Sequence, residues 1–336
     1  RLIQVGQVSR SLAQAIHHGP DDAARRAIDH ELNILRRSNI SVVTYCDASY
    51  PARLKTIPDP PPFLYVSGKL DAADDRAVAI VGSRKATVAG RVLTEQLSRD
   101  LASMGFTIVS GLARGVDAAA HRGALDGKGR TIAVLGCGID RTYPPEHQAL
   151  RKEIEANGAV ITELAIGSFP HAYHFPRRNR VISGLCLGVV VTEATLQSGS
   201  LITAKLAADQ GREVFAVPGF VKAETSRGPN SLIKQGAKLV ENVKDIIEEL
   251  LPQLDDAIRE GLAARSSASI EKPIRLEKNE AMIYDELAHE AVHIDDLIER
   301  TGLSAAEVSG RLLSMELKGL VHRLPGYSYI RVVHRI

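Results

Sequence analysis

Between residues 77 and 251, six short and nearly continuous apolar runs alternate with stretches of helical length. The runs are Val78–Val81, Thr107–Val109, Thr131–Leu135, Ala159–Thr162, Leu187–Thr192 and Glu213–Val217, rich in Val and Ile. A strand covered on both faces reads as an unbroken apolar run, because neither face meets water. The segments between them, Val88–Met104 and Ser200–Gln210 among them, have the length and spacing of helices. Repeated strand–helix–strand units of this kind predict an α/β fold built on a doubly wound, mostly parallel sheet.

Residues 1–70 predict a partial helical N-terminal domain and an extended connector. Leu32, Ile34 and Leu35 precede a β-like run, Ser41–Tyr45. Pro58-Asp59-Pro60-Pro61-Pro62 then fixes an extended stretch, because proline locks φ and cannot propagate a helix. The chain starts at Arg1 rather than Met, so further residues are expected ahead of it. Residues 71–251 form the sheet domain. Residues 252–275 have linker composition, with Pro252, Asp255-Asp256, Ser266-Ser267 and Pro273. Residues 276–336 predict helices over 278–289, 294–301 and 304–319, then a hairpin of Leu320–Arg323 and Ser328–Val332 around Pro325-Gly326. That order is a winged helix-turn-helix, with Thr301-Gly302 as the turn and Ser304 capping the third helix.

Charge is nearly balanced, 42 Lys plus Arg against 40 Asp plus Glu, which excludes a histone-like polycation. The basic excess is local. Residues 77–250 hold 13 Arg and 8 Lys against 17 acidic residues, whereas 275–336 hold 8 basic against 10 acidic. Cys46, Cys137 and Cys186 are odd in number and far apart, giving neither a disulfide framework nor a zinc CxxC, so a reducing cytosol is the expected home. No apolar run reaches the roughly 18 residues of a membrane span, and no segment reads as a signal peptide. With 4% aromatics and no Trp, an aromatic-lined groove is not advertised.

In an open parallel sheet, ligands bind beyond the carboxyl ends of the strands. The residues following each strand are therefore the candidates. Gly82-Ser83-Arg84 follows the first, Ser110-Gly111-Leu112-Ala113-Arg114-Gly115 the second, and Gly136-Cys137-Gly138-Ile139-Asp140-Arg141 the third. Glu193 follows Leu187–Thr192, and then Ser198-Gly199-Ser200 opens a helix that carries Lys205. Between these lies Phe175-Pro176-Arg177-Arg178-Asn179-Arg180. Glycine lets an anion approach the backbone, a helix N-terminus offers oriented N–H donors, and arginine adds bidentate phosphate recognition. One such turn is often only a turn; several in one domain, with arginine among them, predict a row of anion sites. Arg84 and Arg178 are expected to point at this edge, while Arg180 has a competing role as a buried partner of Asp117 or Glu163.

A dinucleotide does not fit. Gly82-Ser83-Arg84 lacks G-x-G-x-x-G, and Arg141 stands where the third glycine of a motif begun by Gly136-Cys137-Gly138 belongs. A phosphate-binding P-loop does not fit either. Gly123 to Gly129 is one residue short, has no Ser or Thr after Lys128, and precedes a strand. A polyanion touching several pockets, without a cofactor, remains. Catalytic candidates are few. Asp117 and His121 lie four apart; they read either as an acid–base pair or, preferably, as a helix-start anion holding the Arg114 loop with His121 packed beside it. His171 and His174 have i, i+3 spacing without a third ligand, so no metal site is expected. Glu193 has no visible partner, and no G-x-S-x-G, HExxH or paired-carboxylate motif is present. The expectation is a binding protein, not an enzyme.

Six ordered motifs carry a resemblance: Val81-Gly82-Ser83-Arg84; Ser110–Asp117 with His121; Ala133–Asp140 with Tyr143-Pro144; Phe175–Arg180; Ser198–Ala204; and Phe215–Gly219 with Gly228-Pro229-Asn230. Together they resemble the DNA-processing protein A (DprA/Smf) family over about 78–250, extended upstream by Tyr50-Pro51 through Tyr65. The resemblance implies an extended Rossmann-like domain that binds single-stranded DNA without a nucleotide cofactor. It also implies a cytoplasmic homodimer that loads the RecA recombinase onto incoming DNA during natural transformation. DNA contacts carry over to Gly82-Ser83-Arg84 and Phe175–Arg180. The family's N-terminal helical domain is usually longer than residues 1–45, and its winged helix varies.

Non-specific single-strand binding combines a basic groove with stacking side chains. Phe175 and Tyr173 are the aromatics near the arginine cluster, so affinity is expected to lean on phosphates. The third winged-helix helix offers Arg311 and Lys318 against Glu307 and Glu316, which suits protein docking at least as well as DNA reading. Two other classes stay open. One is a nucleotide-processing phosphoribohydrolase using Glu193, although Pro218-Gly219-Phe220 does not match the phosphate loop of those enzymes. The other is a winged-helix transcription regulator, against which the net acidity of that module argues.

Overall fold

The computed structural model describes residues 9–254, 276–287, 291–317 and 320–331. Its centre is a nine-stranded sheet of order β1-β2-β6-β5-β4-β3-β7-β8-β9. The strands are β1 (Ile40–Thr44), β2 (Phe63–Gly68), β3 (Ala77–Val81), β4 (Thr107–Ser110), β5 (Thr131–Val134), β6 (Gly158–Thr162), β7 (Gly188–Val191), β8 (Glu213–Ala216) and β9 (Lys238–Leu239). Seven run parallel, from β6 through β9; β2 joins β6 antiparallel and β1 joins β2 antiparallel. All six strands expected from the apolar runs are present. The segment after Pro62, read from sequence only as extended, is a full strand of the same sheet.

The β3 run shows why these stretches are apolar throughout. Ala77, Ala79 and Val81 belong to one core cluster, while Val78 and Ile80 belong to the other. Successive side chains point to opposite faces, and both faces are covered. One face carries α3 (Val88–Ser103), α4 (Val116–Asp126), α5 (Gln148–Asn157) and α9 (Val243–Leu250), through Leu97, Leu101, Ala120, Ile154, Ile246 and Leu250. The other carries α6 (His174–Gly184) and α7 (Gly199–Asp209), through Val181, Ile182, Ala204 and Ala207, together with Leu54 and Ile57. The helices α1 (Arg10–His18) and α2 (Asp22–Arg37) precede the sheet, and α2 packs Leu35 onto it. Beyond β8 comes α8 (Arg227–Lys234).

The winding direction fixes the ligand position. From β3 the chain moves outward through β4, β5 and β6, then α6 carries it back to β7, beside β3. The connections leaving β3 and β7 diverge, and a crevice opens between their carboxyl ends.

Helices Lys278–Glu286, Ile294–Thr301 and Ala305–Leu317 and the strands β10 (Val292–His293), β11 (Val321–Leu324) and β12 (Ser328–Arg331) form the C-terminal module. Its core includes Ile283, Leu287, Leu297, Val308, Leu312, Met315 and Tyr329. Gly302, left-handed with φ 68°, ends the second helix where the turn was expected. Ser304 Oγ accepts from Glu307 N while Glu307 accepts from Ser304 N, a reciprocal cap on the third helix. The expected linker lies outside the described residues from 255 to 275, as does Lys318.

Candidate nucleic-acid interface

Gly82 and Ser83 follow β3 and are fixed to both neighbouring elements. Ser83 N donates to Glu193 O at 2.7 Å, and Val116 N donates to Ser83 O at 3.1 Å. A Cβ on Gly82 would stand 2.6 Å from Val116 Cγ2 and 2.7 Å from Glu193 O, so the close approach of three connections requires glycine. Arg84 leaves this anchored turn for solvent. Its guanidinium lies 5.1 Å from the centre of the Phe175 ring, within cation–π range.

Phe175 occupies the middle of the edge. Its ring lies on Gly136, where a Cβ would come within 2.8 Å of it, and tilts against Tyr143 at 5.6 Å. Thus α6 brings one aromatic ring under Arg84 and against the connection after β5. In the sequence Tyr143 carries no site signal beyond its motif, because its packing on Phe175 depends on a contact between separate connections.

The arginines of α6 divide by helical phase. Arg177 is exposed, 3.8 Å from Glu163. Arg178 is buried, and its Nη1 donates to Gly111 O at 3.0 Å and to Val134 O. Burial pushes its guanidinium down to about 10 although Asp117 pulls the other way, so it stays charged at neutral pH. Its acceptors stand at the carboxyl ends of β4 and β5, but the side chain meets them from inside the fold and is buried rather than open to a ligand. A buried guanidinium committed to two carbonyls shapes the loop after β4 from behind. Arg180 donates to Glu163 Oε2 at 2.5 Å and to Asp59 Oδ2 at 3.2 Å, so the DNA contact expected of it competes with two structural ion pairs. Asn179 is buried and donates to Gly199 O at 3.3 Å, tying α6 to α7.

Asp117 accepts from Gly111 N at 3.1 Å and Ala113 N at 3.3 Å, holding the loop that leads to Arg114. Burial pushes its carboxyl up against the pull of Arg178 and these amides. Leu112, between them, has φ 56°, and its carbonyl receives His147 Nδ1 at 2.9 Å. A leucine in left-handed conformation persists only where its surroundings impose it. His121 is not an acid–base partner of Asp117. It is fully buried, 2.7 Å from Thr131 Oγ1, and burial pushes it down to about 3. Thr131 Oγ1 donates to Ile108 O, so it must accept from His121 Nδ1–H, which assigns the neutral tautomer.

The other candidates scatter around the crevice. Ser110 is buried and donates to Ile80 O at 2.7 Å, bracing β4 on β3 and not facing the edge. Arg114 is exposed and pairs with Glu146 at 2.5 Å, a pair that solvent screens and a phosphate could displace. Ser198 Oγ caps α7 by accepting from Ser200 N at 3.4 Å and lies 2.7 Å from Ser200 Oγ. Gly199 has open space around it. Lys205 is exposed on α7, five residues beyond Ser200.

Glu193 has a partner that local sequence could not reveal. Its carboxylate accepts from Thr87 N at 2.8 Å and Thr87 Oγ1 at 2.6 Å, closing the start of α3 from 106 positions away. Among the described residues no group of His, Cys, Asp or Glu could hold a metal ion, and no helix is long and apolar enough to cross a membrane.

A family model described as DNA recombination-mediator protein A matches residues 41–251, and one described as DprA winged helix domain matches 267–327. The chain belongs to the DprA/Smf family. It is 39% identical to Protein Smf of Escherichia coli over 92% of this chain and 82% of that one. Against DNA processing protein DprA of Streptococcus pneumoniae it is 44% identical over 60% of this chain and 72% of that one. Among solved structures, S. pneumoniae DprA aligns with TM-score 0.63 and 40% identity over 68% of this chain and 78% of that one. DNA processing protein A of Helicobacter pylori, described for a unique single-stranded DNA binding mode, aligns with TM-score 0.58 and 32% identity, covering 64% of this chain and 97% of that one. Family membership agrees with the Rossmann-like sheet and the C-terminal winged helix.

Proposed function

We propose that the carboxyl edge of the sheet binds single-stranded DNA without regard to sequence and without a nucleotide or metal cofactor. One observation carries the reading: Arg84 stands over the Phe175 ring on a turn fixed by Ser83, Val116 and Glu193, at the crevice where the connections leaving β3 and β7 diverge. A cation next to an aromatic ring matches the repeating unit of a single strand, a phosphate next to a base. Gly82, Ser83, Arg84, Arg114, Phe175, Arg177, Ser198, Gly199 and Lys205 belong to this interface, while buried Gly111 and Ser200 support it from behind. Arg178, Asn179, Arg180 and Ser110 hold it in shape. The H. pylori relative's single-strand mode supports the same ligand.

Family membership supports a wider role, in which a cytoplasmic homodimer protects incoming strands and loads the RecA recombinase during natural transformation. The hydrolase alternative loses its candidate residue, because both Glu193 oxygens serve the Thr87 cap.

Equal-length single- and double-stranded oligonucleotides, compared by gel shift without ATP, NAD or metal, test the reading. Single strands bind tightly and duplex far more weakly. The single-strand constant falls with salt at a log–log slope of about −0.7 per phosphate neutralised. Equal affinity for both forms, or binding only with a nucleotide, overturns it.

A further inference from the structure

The chain has no Trp and 4% aromatic residues. Among the described residues 40–251, the exposed large aromatics are Tyr45, Tyr143, Phe169, Tyr173 and Phe220. All five follow strands at the carboxyl edge: β1, β5, β6 (twice) and β8. The end of β1 lies at that edge because β1 and β6 are both antiparallel to β2. Exposed rings collected on one edge, beside an anion site, call for a ligand with apolar faces and negative charge.

The connection from β6 to α6 carries the densest group. Phe169 is 58% exposed and Tyr173 is 68% exposed. Each ring is backed by a polar group. The Arg141 guanidinium lies 3.9 Å from the Phe169 centroid, and the His171 ring stacks parallel to Tyr173 at 5.6 Å, with 6° between planes. The connection is pinned to its neighbour. Gly138 N donates to Ser168 O at 2.9 Å, Gly167 N to Asp140 Oδ1 at 2.9 Å, and Arg141 Nε to Gly167 O at 3.3 Å. Rings held this way lose little further freedom when a ligand stacks on them.

We propose that Phe169 and Tyr173 form a second base-stacking subsite, occupied by the same single strand whose phosphates meet Arg84. The inference rests on the single-strand reading above. The β6 end lies three strand positions from β3, or about 14 Å at ordinary inter-strand spacing, which a few nucleotides of an extended strand cross. Arg141 sits behind Phe169, and Arg177 stands one turn beyond Tyr173, so cations accompany the rings along this path. Stacking on such rings tolerates any base, because every base has a π-face.

The absence of Trp supplies the test. Tyr173→Trp places a single indole in the full chain. Its emission is expected to be quenched as an oligothymidylate of about 20 nucleotides saturates the protein, with affinity retained. The double variant Phe169→Ala, Tyr173→Ala is expected to bind the same oligonucleotide roughly 10- to 100-fold more weakly. An otherwise identical abasic strand should bind wild type and the double variant alike. Unquenched emission at saturation, or undiminished affinity in the double variant, overturns the second subsite while leaving the Arg84 site standing. Failure of wild type to bind the oligonucleotide at all overturns the single-strand reading itself.

Discussion

Arg84 reaches solvent above the Phe175 ring, whereas Arg178 directs its guanidinium to the carbonyls of Gly111 and Val134 inside the fold. Removing a buried cation leaves its acceptors and Asp117 uncompensated, at a cost of about 3–5 kcal/mol. Arg178→Ala should therefore lower the denaturation midpoint strongly in a urea titration, and a variant as stable as wild type would refute the buried role. His121 sets a pH dependence. It is neutral in the folded protein with a pKa of about 3, but takes up a proton near 6.5 once unfolded. Between those values the unfolded chain binds the extra proton. Stability contributed by the neutral imidazole is thus whole above pH 6.5 and declines as pH falls, by at most about 1.4 kcal/mol per pH unit. Urea unfolding of wild type from pH 7 to 5 should steepen this loss relative to His121→Asn; parallel profiles would show that His121 does not titrate as described. The sequence placed Arg177, Arg178 and Arg180 together but could not assign their directions. Neighbouring helical positions point about 100° apart, and only the docking of α6 decides which faces inward. Glu193 looked unpartnered for a similar reason, since Thr87 lies far away in sequence.

At the scale of elements, α6 carries both the aromatic ring and the braces that hold it. Arg180 and Glu163 pair at 2.5 Å with side chains 11% and 8% exposed, linking α6 to the end of β6. Truncating one member leaves the other with a single outer partner, Asp59 for Arg180 and Arg177 for Glu163. Glu163→Ala should destabilise by less than the roughly 3–5 kcal/mol of a fully uncompensated buried charge, because Asp59 still pairs with Arg180, and adding Arg180→Met should recover part of that loss. A double variant worse than the sum of both singles, in a double-mutant cycle by chemical denaturation, would contradict a paired brace. Six of the seven parallel strands were legible because burial on both faces removes the polar positions that blur a strand's limits, whereas the two-residue β9 is exposed and carries no apolar run. β2 was not, because the proline run before it masks its start and its antiparallel pairing with β6 leaves no strand–helix signature. The aromatic edge also escaped sequence reading. Tyr45, Tyr143, Phe169, Tyr173 and Phe220 are scattered along the chain and gather only when the strand ends align.

Across the whole molecule, the basic excess belongs to the sheet domain, while residues 275–336 hold 8 basic against 10 acidic residues. On the third winged-helix helix, Arg311 is already paired with Glu277 at 2.5 Å. The module therefore adds little attraction for a polyanion. Removing residues 270–336 should leave single-strand affinity within a few-fold of the full chain. Loss of several kcal/mol of binding, with the sheet domain still folded, would assign the DNA contact to the winged helix. In the proposed complex the carboxyl edge holds the strand and Arg84 touches it directly. The measurement that bears on it most closely is the single-strand affinity of Arg84→Ala, taken with its melting temperature. Charge-assisted hydrogen bonds contribute about 1.5–3 kcal/mol. Arg84→Ala is expected to bind roughly 10- to 150-fold more weakly, with a shallower salt slope and unchanged melting, and Arg84→Lys is expected to restore only part of the affinity because it lacks the planar fork. Wild-type affinity in Arg84→Ala, at an unchanged melting temperature, would contradict that direct contact.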